Sequence, residues 1–582
     1  MVRMSRSVAP AQDSSMSAAG RRRAELGAVL VMALAGLFTH RAGAATGEEG
    51  HAAIARELQR PDSGLRSGRD GHGVREALSA VYARNNDTVL WSKDGRPTPE
   101  AIALLGELRA ADGHGLNPAD YQAEAIPAIA GAAAGSSSWA RYDVSLSAAV
   151  LRFVVDLHYG RVDPAKAGFR LETTRPVLDL VTVLENLSVM PDVAAEIAAV
   201  EPQFYHYRLL EQSLTQYRRL AILQAALPTL PKAPDRPLRA GDSYPGVPAL
   251  RALLRLLGDL PADDGAAEPS VTLDPALVAP LKRFQSRHGL PVDGVIGRAT
   301  FAALETPLTH RVRQIELTLE RWRWLPAFET PPIIVNIPQF RLFAFRSTAD
   351  LKADILQMDV IVGRTYPSMQ TPVFSSDMRY VIFRPYWDVP YSITRRELLP
   401  AIRRDPRYLN AQHLEIVQGN DDSAQPLPPT VENLAALDAG RLRLRQQPGA
   451  DNALGLIKFV LPNAYNVYLH ATPAHRLFSE SRRAFSHGCI RVSDPVALAV
   501  HVLRDTPGDW TAEHVQKAMD GTAVRRVNLA TPIRVMILYG TALATESGEI
   551  LFFDDIYGHD RRLEKLLGTA SALASAPRQA SP

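Results

Sequence analysis

Apolar residues along this chain recur first at helical spacing and then, past the middle, at strand spacing. Ala101, Leu104, Leu105 and Leu108 fall at i, i+3, i+4 and i+7, one face of a helix. Val144 to Tyr159 repeats the pattern, with Gly160 and Pro164 as its stop. Helical spacing continues from Val177 to Leu227, broken at Pro191 and Pro202. Trp91, Tyr82 and Tyr121 read as core aromatics of this region. Together with the proline-punctuated stretch Pro228 to Pro237, the pattern predicts a helical scaffold domain over residues 74–237.

A compact block follows at 238–307. Leu250, Leu253, Leu254 and Leu257 form one stripe. Asp274 and Pro275 announce a second helix as N-cap and first helical residue, with Leu277, Val278, Leu281 and Phe284 on its apolar face. A glycine-punctuated turn, Gly289 to Gly297, leads to a third helix carrying Phe301 and Leu304. His288 reads as structural. Residues 308–330 are expected to form a connecting helix.

From Pro331 the period becomes that of strands. Ile333–Ile337, Arg341–Phe345, Ile355–Val362, Tyr380–Phe383, Leu456–Val460, Asn466–His470, Ile533–Tyr539 and Glu549–Phe553 are short runs rich in Ile, Val and Phe. They predict a β-rich, sandwich- or barrel-like domain over 331–568. Between residues 391 and 448 the strand signal lapses. Ser392–Leu399 and Leu434–Leu444 look helical there and Gln418–Pro429 looks loop-like, so this stretch reads as an inserted lid. Asp494-Pro495 opens a helix to about Leu503. The fold class is therefore multidomain α+β: a helical scaffold, a small three-helix module and a β-rich domain with an inserted lid.

The ends read differently. Arg21-Arg22-Arg23, an apolar stretch from Leu26 to Phe38 and Ala42-Gly43-Ala44 have the form of a secretory signal over residues 1–44. If uncleaved, it would serve as an N-terminal membrane anchor. Residues 45–73 are Gly-, Arg- and Ser-rich and are expected to be a mobile linker. The Ala/Ser-rich tail, 569–582, is expected to be disordered. The bulk of the chain is thus expected outside the cytoplasmic membrane. A composition of 46% hydrophobic and 22% charged residues is that of a globular protein. The net charge of +3 lacks the basic stripe of a nucleic-acid binder, so no nucleic acid is expected as a partner.

Chemistry concentrates at Ser486-His487-Gly488-Cys489-Ile490-Arg491, which holds the one cysteine of the chain. A lone cysteine is not half of an internal disulfide, so an exported chain keeps it for another reason. A thiol nucleophile needs a nearby base and donors for the oxyanion it creates. His470, ending a strand, can supply the base. Gly488 permits a tight turn whose N–H groups converge on one oxygen. Arg491 favours the thiolate and can hold a substrate carboxylate. Two other readings stand beside this one. Cys489 can be an inert buried thiol, and His470, His475, His487 and Cys489 can be zinc ligands. His487 and Cys489 are only two residues apart, which suits one tetrahedral site poorly, and no His-Glu-x-x-His segment occurs.

The stretch Leu281–Gln285, Asp293–Gly297 and Thr300–Leu304 resembles the three-helix peptidoglycan-binding domain. His470 followed by Ser486–Arg491 resembles the signature of L,D-transpeptidase catalytic domains. Val362-Gly363-Arg364, Gln370–Phe374, Asn336-Ile337-Pro338 before Leu342-Phe343, Pro385–Pro390 and Phe553–Gly558 also fit. The domain order resembles the large Gram-negative periplasmic branch of that family. One departure stands out: many members of that branch have serine just before the Gly-Cys pair, where this chain has His487.

The resemblance implies Cys489 as nucleophile and His470 as general base, its tautomer fixed by the carbonyl of Ala471. It implies an oxyanion hole from the N–H groups of Gly488 and Cys489, with Ser486, His487 and Arg491 lining the substrate site, and no metal or cofactor. The partners implied are peptidoglycan stem peptides, a tetrapeptide donor and a diaminopimelate-containing acceptor. A thioester acyl-enzyme would release D-alanine and pass the acyl group to an amine, giving a 3→3 cross-link. Water as acceptor would make the site an L,D-carboxypeptidase. A non-catalytic wall-binding scaffold is the alternative outside enzymology. On this reading His470→Ala is far more damaging than His487→Ala in a D-alanine release assay, and the reverse order would reassign the base.

Overall fold

The computed structural model describes residues 47–60, 73–131, 136–172, 175–232, 235–263, 270–348, 355–419 and 421–575. The expected signal over 1–44 and the last residues of the tail lie outside them. Nine strands build the main sheet: β1 (Ile333–Asn336), β2 (Arg341–Ala344), β3 (Leu356–Gly363), β4 (Phe374–Phe383), β5 (Ile457–Val460), β6 (Leu469–His470), β7 (Ala484–Ser486), β8 (Ile490–Val492) and β9 (Arg525–Leu538). Their order is β7-β3-β8-β6-β5-β4-β9-β1-β2, and β2 pairs back onto β3, so the sheet closes into a barrel. Closure leaves no long unpaired edge. Of the two architectures the strand pattern allows, the barrel is the one formed.

Alternation along each strand fills the interior. Val360, Val362, Val381, Phe383, Ile457, Phe459, Leu469, Ile490, Val535 and Ile537 all have 0% exposure. Each such side chain contributes about 1.5–3 kcal/mol over an exposed one. The helix Pro495–Leu503, capped by Asp494 on the Ala497 N–H at 2.9 Å, adds Leu498 and Val502 to the same core. Two strand expectations change. Asn466 has φ 53°, a left-handed conformation that no strand holds, so β6 begins only at Leu469. The run at 549–553 forms Ile550–Phe552, a hairpin with Ala542–Ala544 outside the barrel.

The insertion folds on its own core of Ile393, Leu399, Ile402, Leu409, Ile416, Leu437 and Leu444. It contains a three-stranded sheet, Trp387–Asp388 with Arg443–Gln446 and Leu414–Val417. The expected helix over 434–444 therefore splits. Val431–Asp438 is helical, Gly440 at φ +70° follows its end, and Arg443–Gln446 forms a strand.

The scaffold domain packs its helices around Tyr82, Trp91 and Tyr121, each at most 1% exposed. Buried Asp143 is satisfied by the Tyr82 hydroxyl at 2.7 Å and by the N–H groups of Leu90 and Trp91 at 2.8 Å. Burial still pushes its carboxyl up to about 7. Residues 47–59, expected within a mobile linker, form a helix that buries Ala53 and Ile54 in this core. The apolar pair one residue apart was too short a signal for periodicity to catch. The terminal helix likewise extends to Ser575, into the stretch expected to be disordered.

In the three-helix module the Gln285 side chain holds the Asp293–Val295 turn, accepting from the Gly294 N–H at 2.8 Å and donating to Asp293 at 2.9 Å. His288, structural as expected, gives its Nδ1 to the Phe284 carbonyl region at 2.7 Å and stacks between Phe284 and Phe552. The module is thus docked on the 542–552 hairpin.

The helices Tyr205–Gln224 and Leu308–Trp322 join scaffold to barrel. At their seam Arg323, with 0% exposure, donates to the Tyr207 hydroxyl at 3.1 Å and to the His114 carbonyl. His114 Nδ1 lies 2.7 Å from Glu201 and 3.0 Å from Glu211. Burial works against its charge, but the two carboxylates win and raise its pKa from 6.5 to about 9. A raised histidine pKa stabilises the fold fully below the unfolded value of 6.5 and loses that contribution as pH rises through about 9. His114→Gln should therefore lower the melting temperature markedly near pH 6 and scarcely above pH 10, a difference on the order of 3 kcal/mol; equal destabilisation at both would show that packing, not charge, holds the seam.

Candidate active site

Strands β6 and β8 run parallel, with Leu469 opposite Ile490 and His470 opposite Arg491. Ile490 also donates its N–H to the Tyr468 carbonyl at 3.1 Å. Side chains alternate along a strand, so Cys489 and Arg491 share one face, and Tyr468 and His470 share the same face beside them. Leu469 and Ile490 point the other way, into the barrel core. On the far side of β6, Lys458 of β5 pairs with His470. Two short strands and their neighbour therefore assemble a thiol, an imidazole, a phenol, an ammonium and a guanidinium on one patch.

The turn that carries Cys489 is pinned from three directions. Gly488 has φ +121°, a conformation that a side chain resists. The Thr371 hydroxyl donates to the Gly488 carbonyl at 2.8 Å, and the buried Ser486 hydroxyl donates to the Cys489 carbonyl at 2.5 Å. Behind Thr371 stands Tyr557, which accepts from the Thr371 N–H at 3.2 Å and donates to the Gly363 carbonyl at 2.6 Å. Gly363 admits no Cβ, which would lie 2.0 Å from the Met369 carbonyl oxygen. One expectation is corrected. The Gly488 N–H is directed to Ser486 Oγ at 3.1 Å, so it is engaged within the turn instead of pointing at a substrate oxygen.

His470 is 4% exposed, and its Nδ1 lies 2.5 Å from the Ala471 carbonyl, the tautomer-setting contact expected from the sequence. Burial first, then the Arg491 charge, hold its pKa down at about 3. Cys489 is half-buried, its Sγ 3.7 Å from the Asn466 carbonyl. Burial pushes the thiol above its usual value, opposed by hydrogen bonding to Tyr468 and by the charges of Lys458 and Arg491. At neutral pH the resting pair is thus a thiol and a neutral imidazole. Arg491 keeps its Nε buried without a hydrogen-bond partner. His487 projects outward, its Nε2 2.8 Å from Glu397 of the insertion.

Lys458, Tyr468 and Glu397 escape a reading of the sequence alone. Lys458 gave a usable signal, a lysine inside the apolar strand Ile457–Val460, and its Nζ lies 3.9 Å over the Tyr468 ring. Glu397 gave none, being 90 residues from its partner. The four residues weighed as zinc ligands do not converge. Among the described residues, His and carboxylate ligand atoms come within metal-binding reach of one another at His114, Glu201 and Glu211, in the scaffold seam.

Three stretches of the chain match known families. Residues 76–214 match a family described as a scaffold domain, 243–304 a peptidoglycan binding domain and 331–524 the L,D-transpeptidase catalytic domain. Strand β9 lies beyond the last match but pairs with β4 and β1, so the folded domain continues past it. A protein of Haemophilus influenzae whose name places it among the L,D-transpeptidases is 32% identical over 251 residues, 43% of this chain and 49% of that one. The chain thus spans about half the length of that relative.

A thiol pushed up by burial beside an imidazole held at about 3 gives a definite pH signature. The rate of iodoacetamide labelling should climb ~tenfold per pH unit through neutrality and past pH 9 without a plateau, and Lys458→Ala should slow it by removing a charge that favours thiolate. A plateau from pH 6 downward would indicate a resting thiolate–imidazolium pair.

Proposed function

We propose that this chain, which carries an L,D-transpeptidase catalytic domain behind a peptidoglycan binding domain, is a cell-wall acyltransferase that works through a Cys489 thioester. The observation that carries the reading is the pairing of His470 with Arg491, which sets the imidazole on the strand beside the cysteine. Cys489 Sγ attacks the carbonyl carbon between the L-centre of diaminopimelate and the terminal D-alanine of a tetrapeptide stem. His470 Nε2 takes the thiol proton as attack occurs and returns it to the leaving amine. It is unprotonated at rest, so the imidazole is free to accept that proton.

The Cys489 N–H faces the developing oxyanion, while Gly488 serves by its conformation. Arg491 and Lys458 receive the carboxylates of the stem and favour the thiolate. The thioester then passes its acyl group to the side-chain amine of a second stem, forming the 3→3 bond without ATP. The peptidoglycan binding domain holds the enzyme to its polymer, and the chain acts in the periplasm after export through the segment at 1–44.

The test is intact-protein mass after incubation with a disaccharide-tetrapeptide, alongside Cys489→Ala, with D-alanine and dimer measured in the same sample. A covalent adduct absent from the variant, with D-alanine and a 3→3 dimer, is the expected result. D-alanine without dimer would make the enzyme an L,D-carboxypeptidase. A protein that binds sacculi but gives neither adduct nor D-alanine would be a scaffold.

A further inference from the structure

The insertion touches the cysteine turn through a carboxylate. Glu397 sits in a single π-helical turn, Thr394–Leu398, a distortion that recurs at functional sites. Its neighbours are tied down elsewhere. Arg395 and Arg403 both pair with Asp438, and the Tyr391 hydroxyl donates to the Asp438 carbonyl at 2.6 Å. Glu397 is instead directed across the cleft to His487 Nε2 at 2.8 Å, two residues from Cys489. Both side chains are partly exposed, at 43% and 27%. An exposed ion pair adds little to stability, so its position is the informative feature.

The charges around Cys489 divide by sign. Lys458 and Arg491 act on the thiol, and Arg364 adds to them at Arg491. Three cations suit the carboxylates of the donor stem and repel an ammonium. Asp422 of the insertion acts on Lys458 at longer range. Glu397 is the carboxylate that reaches the cysteine turn itself. The acceptor of the proposed reaction is an amine, which arrives as an ammonium and must lose a proton before it can attack. His470 serves the donor half of the reaction and is enclosed beside Arg491 and Lys458, whose charges repel an ammonium.

We propose that Glu397 and His487 form the acceptor site, in which the Glu397 carboxylate binds the incoming ammonium and His487 takes its proton. This rests on the acyltransferase reading above. The ammonium gives one proton to His487, beside the Glu397 carboxylate. The free amine attacks the thioester carbon, the C–N bond forms and the C–S bond breaks. The second amine proton goes to the departing Cys489 thiolate, restoring the thiol, and His487 releases its proton to water. Since Glu397 belongs to the insertion, the acceptor site exists only while the insertion lies against the barrel. The same contact thereby favours amine over water as the group that resolves the thioester.

The experiment compares full-length wild type with Glu397→Gln and His487→Ala, using disaccharide-tetrapeptide as both donor and acceptor. In Glu397→Gln, acyl-enzyme formation and the D-alanine released with it should stay within about twofold, because Glu397 belongs to the insertion and does not serve acylation. The ratio of cross-linked dimer to hydrolysed tripeptide should fall at least ~tenfold, with a raised KM for the acceptor. Hydroxylamine, largely uncharged at about pH 8, resolves the same thioester and should do so equally in all three proteins. An unchanged dimer-to-tripeptide ratio in Glu397→Gln would overturn the proposal. So would an equal loss with hydroxylamine, which would mark a collapse of the cleft in place of ammonium recognition. Absence of any adduct in the wild type would refute the acyltransferase reading instead.

Discussion

Everything at the reactive centre depends on the parallel pairing of β6 with β8. Two residues of β6 and three of β8 are too short to hold together alone; the barrel holds them, because Leu469 and Ile490 are anchored in its core on the opposite face. A slip of one residue in that register would turn His470 into the barrel and Leu469 into the cleft. The cost of burying a histidine without its Ala471 contact makes that slip prohibitive. The hydrophobic effect thus fixes, on one side of the sheet, the geometry of polar groups on the other.

The second constraint is the support behind the cysteine turn. Tyr557 holds Thr371, Thr371 holds the Gly488 carbonyl, and Ser486 ties the Gly488 N–H to the Cys489 carbonyl. These residues come from three distant stretches of the chain, so the turn is rigid only in the finished fold. The electrostatics follow from the same enclosure. Burial keeps both His470 and Cys489 uncharged at rest, and the surrounding cations are poised for charge that appears during reaction.

Around this centre the remaining domains are joined by contacts of unequal kind. The insertion has its own core and reaches the cysteine turn through the Glu397–His487 pair. The scaffold seam encloses the Arg323 guanidinium, and the three-helix module stacks His288 on Phe552 of the 542–552 hairpin. Those seams are fixed.

The sequence by itself determined much of this. Helical and strand periods separated the domains, because amphipathic faces must repeat at 3.6 or 2 residues to be buried. A lone cysteine in a glycine turn and a histidine ending a strand were legible as chemistry, and the resemblance supplied the carbonyl of Ala471. What depends on distant pairing was not legible. The strands of the insertion and the approach of Glu397 to His487 were decided by tertiary structure. Local sequence fixes which face a side chain takes, but closure of the barrel and docking of the insertion decide what that face meets.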